Sequence, residues 1–179
     1  MFILASGSAG RIKLLKKTGF RFKIKKTNAN EIVLKSPRKT VIENSVLKAK
    51  TGYEKNKIII GCDTIVYFKG KLIGKPKNKN DAKKTLRILS GKWHSVYSGI
   101  AGIKNNKLIC GVSISKVKLK RLDKKYVEKE CKNRVVLKRA GAYAIQEKNS
   151  PIEKYVGRFD TIVGIDISLL KIILEALKK

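Results

Sequence analysis

One acidic side chain stands inside the most hydrophobic stretch of the chain. Asp63 interrupts the run Lys57–Phe68, whose other residues are mostly apolar, and Thr64 beside it supplies a hydroxyl group. An unpaired carboxylate is costly to bury among apolar side chains, so Asp63 must either pair with a cation or emerge at a site where it does chemistry. A carboxylate in such a site can take a proton from water or bind a metal ion. We therefore treat Asp63 as the candidate catalytic residue.

The beginning of the chain has the residue types of an anion-binding loop. Phe2–Ala5 is a short apolar run typical of a buried strand, and small residues follow it until a helical pattern begins at Arg11. A strand, a small-residue loop and a helix in this order present free backbone N–H groups to an anion, especially a phosphate. Ser6, Ser8 and Arg11 could add side-chain donors. For this segment alone, the alternative is a plain strand-to-helix turn with Ser8 as the N-cap.

Four polar side chains elsewhere could complete a site around Asp63. Lys75 lies between a glycine and a proline after a predicted hairpin that could return it towards Asp63, although it could also be an ordinary loop lysine. Lys48 lies near the end of a predicted helix, where the helix dipole favours lysine whatever its function. Glu31 is either a surface charge or a metal ligand or acid/base group. The amide of Gln146 could pair with the edge of a nucleobase, but a surface glutamine fits equally well.

The chain has a strong positive charge. Its 43 Lys and Arg residues outnumber its 13 Asp and Glu residues, so the net charge is +30 over 179 residues. Because the lysines are spread along the whole sequence, we interpret them mainly as a solvated, lysine-biased surface. Attraction of a polyanionic small substrate and binding of nucleic acid are the alternatives. No apolar run approaches the roughly 18 residues of a membrane span, and the N-terminus lacks the pattern of a signal peptide, so we expect a cytoplasmic protein without a membrane partner.

The cysteines and the single histidine do not suggest a metal centre. Three widely spaced cysteines make a disulfide framework or a zinc site improbable on pattern alone. Cys62 and Cys110 lie in apolar runs and are predicted to be core residues, whereas Cys131 lies among charged residues and is predicted near the surface. His94 has no partner at a diagnostic spacing and is predicted to be structural.

Periodicity predicts helices and strands that alternate along the chain. One helix should begin at Ser36 and stop at Gly52, and Asp81 should be the N-cap of another. A change of apolar phase predicts a bulge near Ser115 and Lys116. The buried stripe of the first of these helices is predicted to comprise Val41, Ile42, Val46 and Leu47.

Taken together, these segments resemble the Maf family of nucleoside triphosphate pyrophosphatases almost end to end. Each motif is weak alone, but their order and spacing along the chain are specific. The matching segments are Ile3–Ser8, Lys48–Ala49, Gly61–Thr64, Gly74–Pro76, Leu89–Gly91 and Ala140–Gln146. The resemblance implies an α/β fold with an elongated, curved mixed β-sheet flanked by helices, related to the inosine triphosphate pyrophosphatase architecture. It also implies a single domain over residues 1–179, which could divide into two lobes with the active-site cleft between them.

The resemblance implies a reaction and a set of roles. The reaction is hydrolysis of a nucleoside triphosphate to the monophosphate and pyrophosphate with Mg²⁺ or Mn²⁺, and the substrate is dTTP, UTP or a modified pyrimidine nucleotide. Asp63 would be catalytic, and Glu31 and Asp63 would bind the metal. The substrate would be bound by Ser6, Ser8, Arg11, Lys48 and Lys75, and specificity would depend on Gly10, Thr64 and Gln146. A homodimer is also expected from the resemblance.

The chain departs from the family pattern at two places, and one of them is Thr161–Asp166, where the family usually has Asn before Val-Val-Gly-Leu-Pro. Gly10 stands where the family loop usually has the first of two arginines, and Arg11 falls on the second. Two alternatives therefore stay open at this point. One is a degenerate family member that binds nucleotide without turnover, and the other is a non-enzymatic basic protein that binds nucleic acid.

Overall fold

The computed structural model describes residues 1–178. These residues form seven strands and six α-helices, with short 3₁₀ turns at Arg134–Lys138 and Ala140–Ala142. The strands are β1 (Phe2–Ala5), β2 (Phe22–Ile24), β3 (Ile59–Phe68), β4 (Lys71–Ile73), β5 (Trp93–Lys104), β6 (Lys107–Leu119) and β7 (Ile152–Val156). The helices are α1 (Ala9–Lys17), α2 (Pro37–Thr51), α3 (Lys79–Leu89), α4 (Lys124–Lys132), α5 (Phe159–Val163) and α6 (Ile167–Ala176).

All seven strands form one mixed sheet in the order β2-β1-β3-β5-β6-β7, with β4 paired to β3 off this path. β1 is parallel to both β2 and β3, whereas the pairings from β3 through β5 and β6 to β7 are antiparallel. The long hairpin of β5 and β6 turns at Asn105, whose positive φ suits a tight turn. The predicted α/β fold with a mixed sheet flanked by helices is confirmed, and the division into two lobes stays a prediction.

One edge of β3 is open in its middle. β1 pairs with this edge as far as Gly61, and β4 pairs with it only from Val66 onward. Successive side chains of a strand point to opposite faces, so Asp63 and Thr64 project to the two sides of the sheet at the opening. The opening lets both side chains reach one cleft, although neither is on an exposed sheet surface.

Helix α2 packs against the sheet through a polar face, and here the predicted stripe is wrong. Val41 is buried as predicted, but Ile42, Val46 and Leu47 are only partly buried. The buried positions include Asn44, Ser45, Lys48 and Ala49. The reason is close approach: a Cβ at Gly61 or Gly99 would collide with the α2 backbone, so the helix lies too near the sheet for a row of large side chains. The approach directs Asn44 and Lys48 at β3.

Two local predictions are corrected. The N-cap of α3 is Asn78, whose side chain accepts a hydrogen bond from the backbone of Asp81, so the helix begins earlier than predicted. The pairing of β5 with β6 runs without a break past Ser115, and the irregularity falls between β6 and β7 at Lys118 and Leu119. The apolar phase changes because Ile114 lies on the outer face of the sheet, where it is exposed.

Apolar side chains pack against the sheet in separate clusters. One cluster is centred on Leu86 and Val117, and another is centred on Leu4 and Ile173. Among the cysteines, Cys62 is buried as predicted, and its burial raises the pKa of the thiol to about 11. The other two predictions are wrong: Cys110 lies on the exposed side of β6, whereas Cys131 faces inward from amphipathic α4.

In the part of the chain that the structure describes, no helix is both long enough and apolar enough to cross a bilayer.

Candidate active site

All ten residues that the sequence singles out line a single cleft of about 490 Å³. The cleft opens where the edge of β3 is unpaired. Its lining includes Ser6, Ser8, Gly10, Arg11, Glu31, Lys48, Asp63, Thr64, Lys75 and Gln146. The sequence separations between these residues reach well over one hundred positions, so only the fold brings them together. Their individual roles stay predictions.

A chain of ion pairs crosses the cleft. The Nζ of Lys48 lies 2.5 Å from an oxygen of Asp63 and 2.9 Å from an oxygen of Glu31. The same oxygen of Glu31 lies 3.3 Å from the Nζ of Lys75. Asp63 therefore pairs with a cation and also faces a cleft, which unites the two outcomes expected for a carboxylate in an apolar strand. Lys75 returns to the cleft as predicted, but its partner is Glu31 rather than Asp63.

At Glu31, the neighbouring lysines lower the pKa more than partial burial raises it. Partial burial by itself would raise the pKa of this carboxyl group, whereas hydrogen bonds and positive charge from Lys48 and Lys75 lower it, and the net pKa is below its usual value. Glu31 is therefore ionised at neutral pH. The two lysines place two positive charges beside carboxylates at the mouth of the cleft, where a phosphate chain would also find them.

Asn44 is a site residue that the sequence analysis missed. Its Nδ2 donates to Asp63 Oδ2 at 3.2 Å and to the backbone carbonyl of Ile32 at 3.0 Å, and its Oδ1 accepts from the backbone N–H of Ile32 at 2.8 Å. These two hydrogen bonds to the backbone of Ile32 fix the orientation of the amide. Asn44 therefore ties the loop that carries Glu31 to the catalytic candidate. A signal was present in the sequence, because Asn44 lies four positions before Lys48 and hence on the same face of the helix.

The guanidinium of Arg11 is buried and joins three segments of the chain. Its Nη1 donates to Ser6 Oγ at 3.0 Å, its Nη2 to Thr64 Oγ1 at 2.7 Å, and its Nε to the carbonyl of Gly164 at 2.7 Å. These bonds use three of the five N–H donors of the group. The geometry assigns Arg11 a positioning function in addition to the predicted contact with substrate. The sequence did not indicate this function, since Thr64 and Gly164 are distant from Arg11 in the chain.

The loop before α1 keeps donors free for an anion. Ser6 Oγ accepts from Arg11 and from the backbone N–H of Ser8 at 3.3 Å, which leaves the Ser6 hydroxyl hydrogen free to donate elsewhere. Ser8 occupies the N-cap position of α1, as the alternative interpretation expected, but its side chain makes no capping hydrogen bond. Its hydroxyl is therefore not committed to the helix and lines the cleft with Ser6.

Gly10 and Gln146 are neighbours across the cleft. A Cβ at Gly10 would lie 2.8 Å from Gln146 Nε2 and 3.5 Å from a methyl group of Val163. The amide of Gln146 thus occupies the space in which a longer residue at position 10 would begin. The two predicted specificity residues are consequently a coupled pair rather than independent contacts.

The inner wall of the cleft includes an aromatic side chain held by a histidine. The hydroxyl of Tyr143 lies 2.7 Å from His94 Nε2, and both side chains are buried. Burial lowers the pKa of His94 to about 4, against a backbone hydrogen bond with Lys92 that raises it, so the imidazole is neutral at pH 7. The structural role predicted for His94 agrees with this geometry. Tyr143 lines the cleft and is a second residue whose position the sequence did not predict.

The carboxylates of Glu31 and Asp63 suit a hard divalent cation. Both place an oxygen within 3 Å of one ammonium group, so their negative charges converge on a single point. Residues 1–178 contain no group of three or more His, Cys, Asp or Glu side chains that could hold a metal ion. Mg²⁺ commonly binds through one or two carboxylates and takes its other ligands from substrate phosphates and water. The two-carboxylate set therefore fits a metal that arrives with a nucleotide and does not fit a closed structural metal site.

The fold places the protein in a known structural class. Over 99% of both chains, it is similar to the Ham1 protein of Staphylococcus aureus, with a TM-score of 0.56 and 14% sequence identity. At this identity, the similarity establishes the fold.

The sequence comparisons establish the family. The model of the family described as Maf-like protein matches residues 1–177, and the chain belongs to the Maf family. Its relatives include proteins named dTTP/UTP pyrophosphatase. The one from Thermotoga maritima is 36% identical, and the alignment covers 94% of this chain and 85% of the relative. The one from Dictyoglomus thermophilum is 38% identical over 98% and 95%, and the one from Thermosipho melanesiensis is 40% identical over 93% and 92%. The family resemblance expected from the sequence is confirmed.

Proposed function

We propose that this protein is a nucleoside triphosphate pyrophosphatase that converts dTTP, UTP or a modified pyrimidine nucleotide to the monophosphate and pyrophosphate. The observation that carries the proposal is the single cleft in which a carboxylate–lysine pair faces a small-residue loop at the start of a helix. Family membership supports the same reaction, because relatives that align over most of this chain are named dTTP/UTP pyrophosphatase. We expect such an enzyme to act on the nucleotide pool of the cytoplasm.

The loop at the start of α1 and the two lysines would hold the triphosphate. Backbone N–H groups at a helix N-terminus bind phosphate oxygens, and the hydroxyls of Ser6 and Ser8 would add donors. Lys48 and Lys75 would supply positive charge, and Arg11 would keep Ser6 and Thr64 in place. Since the reaction redistributes charge over phosphate oxygens, donors fixed before substrate arrives lower the barrier without reorganisation.

Asp63 would act on the attacking water. The water oxygen forms a bond to the α-phosphorus. The bond from this phosphorus to the oxygen that bridges the α- and β-phosphates breaks, and pyrophosphate leaves. Asp63 would accept the proton that the water loses, with Asn44 and Lys48 holding the carboxylate in one orientation. The electron pair of the broken bond stays on the pyrophosphate, where Lys75 can neutralise it.

Glu31 and Asp63 are the residues that would hold Mg²⁺ or Mn²⁺. When bound, such an ion supplies charge neutralisation on the phosphates and lowers the pKa of bound water. Lys48 would then share its two carboxylate partners with the ion. Thr64 and Gln146 would contact the sugar or the base, with Gly10 leaving space for the amide.

Release of pyrophosphate from a panel of standard and modified nucleoside triphosphates, with Mg²⁺ and with Mn²⁺, tests the proposal. We expect turnover of a pyrimidine nucleotide, loss of turnover in Asp63→Asn, and unchanged turnover in Glu175→Gln, an exposed carboxylate outside the cleft. Release of phosphate instead of pyrophosphate would contradict the assigned reaction. Nucleotide binding without any product would identify a degenerate binder, the alternative suggested by Gly10.

The non-enzymatic alternative is not favoured. A protein that only bound nucleic acid would not need Asp63, and relatives covering nearly the whole chain are named as pyrophosphatases. The expected homodimer stays a prediction, for which sedimentation equilibrium is the direct measurement.

A further inference from the structure

Helix α2 covers only part of one face of the sheet. Helix α2 lies over Gly61 and Gly99, and beyond it the same face of β3 and β5 continues with Tyr67, Trp93 and Tyr97. Trp93 is 41% exposed and the two tyrosines are partly exposed. Three aromatic side chains on one open sheet surface are unusual for a chain in which only 7% of residues are aromatic.

Lysines lie beside the Trp93 ring across the strands, whereas Tyr97 is opposite the exposed Ile114. In the sheet register, Trp93 is opposite Lys118, which is opposite Lys154 on the neighbouring strand. Lys116 is the next residue of β6 on the same face, two positions from Lys118. We call this surface the aromatic–lysine face, defined by Tyr67, Trp93, Tyr97, Lys116, Lys118 and Lys154.

The rings are held in place by their neighbours. The ammonium of Lys154 lies 5.8 Å from the centre of the Trp93 ring, within cation–π distance. Tyr67 and Tyr97 meet edge to face, with centroids 6.1 Å apart and planes at 84°. Trp93 and Tyr97 are four residues apart on one strand, about 13 Å at the usual rise of a β-strand. The face therefore presents separated, ordered rings on a rigid element.

Charge decides what can cover this face. Lys118 pairs with Glu153 at 3.1 Å, but among residues 1–178 no carboxylate forms an ion pair with Lys116 or Lys154. A second copy of the chain would bring another net charge of +30 and another set of lysines to the same surface. Electrostatics therefore disfavours self-association here and favours a polyanion.

We propose that the aromatic–lysine face binds single-stranded nucleic acid. Proteins that bind single strands combine cations that follow the phosphate backbone with aromatic rings on which bases stack, and both are present here at the spacing of one sheet. Unpaired bases are required, because a duplex keeps its bases stacked on one another. This activity would be additional to the cleft and does not depend on the pyrophosphatase reaction.

The protein carries its own probe for the test, because Trp93 is its single tryptophan. Titration of the full chain with unlabelled oligothymidylate of about 16 nucleotides, the upper end of the usual site size, should quench the tryptophan emission. In parallel, the anisotropy of a labelled oligonucleotide gives the affinity. We expect Trp93→Ala to weaken binding by about 5- to 150-fold, the usual range for loss of one stacked base, and Trp93→Phe to retain most of the affinity. Since Trp93 is only 41% exposed, thermal unfolding of both variants is measured in parallel, so that a loss of affinity can be separated from a loss of fold.

A matched pair of charge variants distinguishes binding at the aromatic–lysine face from attraction by the net charge of the chain. Lys116→Gln with Lys154→Gln and the control Lys16→Gln with Lys17→Gln remove the same charge, and the control pair lies on exposed positions of α1. We expect only the first pair to weaken binding strongly. It should also lower the dependence of log affinity on log salt by about 0.7 for each phosphate that the face no longer neutralises.

Several results would overturn the proposal. One is an equal loss of affinity in both lysine pairs, which would mean that binding depends on net charge alone. Another is competition between the oligonucleotide and a non-hydrolysable nucleoside triphosphate, which would place binding in the cleft. Conversion of a dimer to a monomer by Trp93→Ala, with unchanged oligonucleotide affinity, would identify the face as a self-association surface. Quenching by anionic lipid vesicles but not by oligothymidylate would identify a membrane surface.

Discussion

The buried pair of Asp63 and Lys48 yields the most demanding prediction. The Asp63 side chain is 8% exposed and the Lys48 side chain 11%, and their charged atoms lie 2.5 Å apart. Removal of one partner from a buried ion pair typically costs about 3–5 kcal/mol, because the other charge is left uncompensated. We expect Lys48→Met to approach this cost, since Asp63 would keep only the hydrogen bond from Asn44.

The opposite change should cost less. In Asp63→Asn, Lys48 keeps Glu31 at 2.9 Å, so its charge stays compensated. The new amide must either turn its nitrogen towards Lys48 or bring it against the Nδ2 of Asn44, whose orientation Ile32 fixes. One hydrogen bond is removed in both cases, at about 1–3 kcal/mol for a buried polar group. The double variant replaces the pair by neutral groups, and its cost should be well below the sum of the two single costs.

Urea unfolding of the wild type, the two single variants and the double variant measures the coupling, and pyrophosphate release measures turnover on the same samples. We expect a coupling free energy of about 1–3 kcal/mol, within the range found for residues in contact. Turnover should fall by about 10²–10⁴-fold in Asp63→Asn and stay low in the double variant despite its recovered stability. Single costs that add to within about 0.5 kcal/mol would refute the ion pair. Recovery of turnover with stability would refute the role of Asp63 in the chemistry.

Three further predictions concern the surroundings of the pair. Asn44→Ala should lower turnover about 10²-fold, because the carboxylate of Asp63 would be misplaced. It should also lower the free energy of unfolding by about 1–3 kcal/mol, because the polar groups of Ile32 lose their partner. Unchanged turnover would show that Asn44 only supports the fold. Gly10→Ala should leave the free energy of unfolding equal or raise it by up to about 1 kcal/mol, because alanine favours a helix. Its Cβ should displace Gln146 and so change the ratio of kcat/KM values between pyrimidine nucleotides. An unchanged ratio would argue against the coupling of Gly10 and Gln146. His94 has a folded-state pKa of about 4, so below pH 6.5 the unfolded chain binds a proton that the folded chain does not. Stability should therefore fall with pH from 7 towards 4, by about 2 kcal/mol at pH 5, and thermal unfolding of His94→Gln should lack this component of the pH dependence.

Local sequence signals predicted most of the elements because they depend on neighbours in the chain. The helix from Pro37 to Thr51 has its predicted start, with Ser36 accepting the hydrogen bond of an N-cap. The strand around Asp63 is central, as its hydrophobicity indicated. The errors fall where two elements meet. The α2 stripe is polar because Gly61 on β3 and Gly99 on β5 let the helix approach, and Cys110 is exposed although it lies in an apolar run.

The residue types of the site could be predicted from the sequence alone: a carboxylate in an apolar strand, serines in a loop that precedes a helix, and a lysine between a glycine and a proline. These properties belong to short segments, so periodicity, capping and the cost of burying charge suffice to predict them. The contacts between these residues depend on the tertiary fold. Lys48 bridges Glu31 and Asp63, Asn44 holds the loop to the strand, and Gly10 faces Gln146 because sheet register and helix approach bring distant segments within a few ångströms. A hydrogen bond or an ion pair depends on distance in space, which the separation of two residues along the chain does not determine.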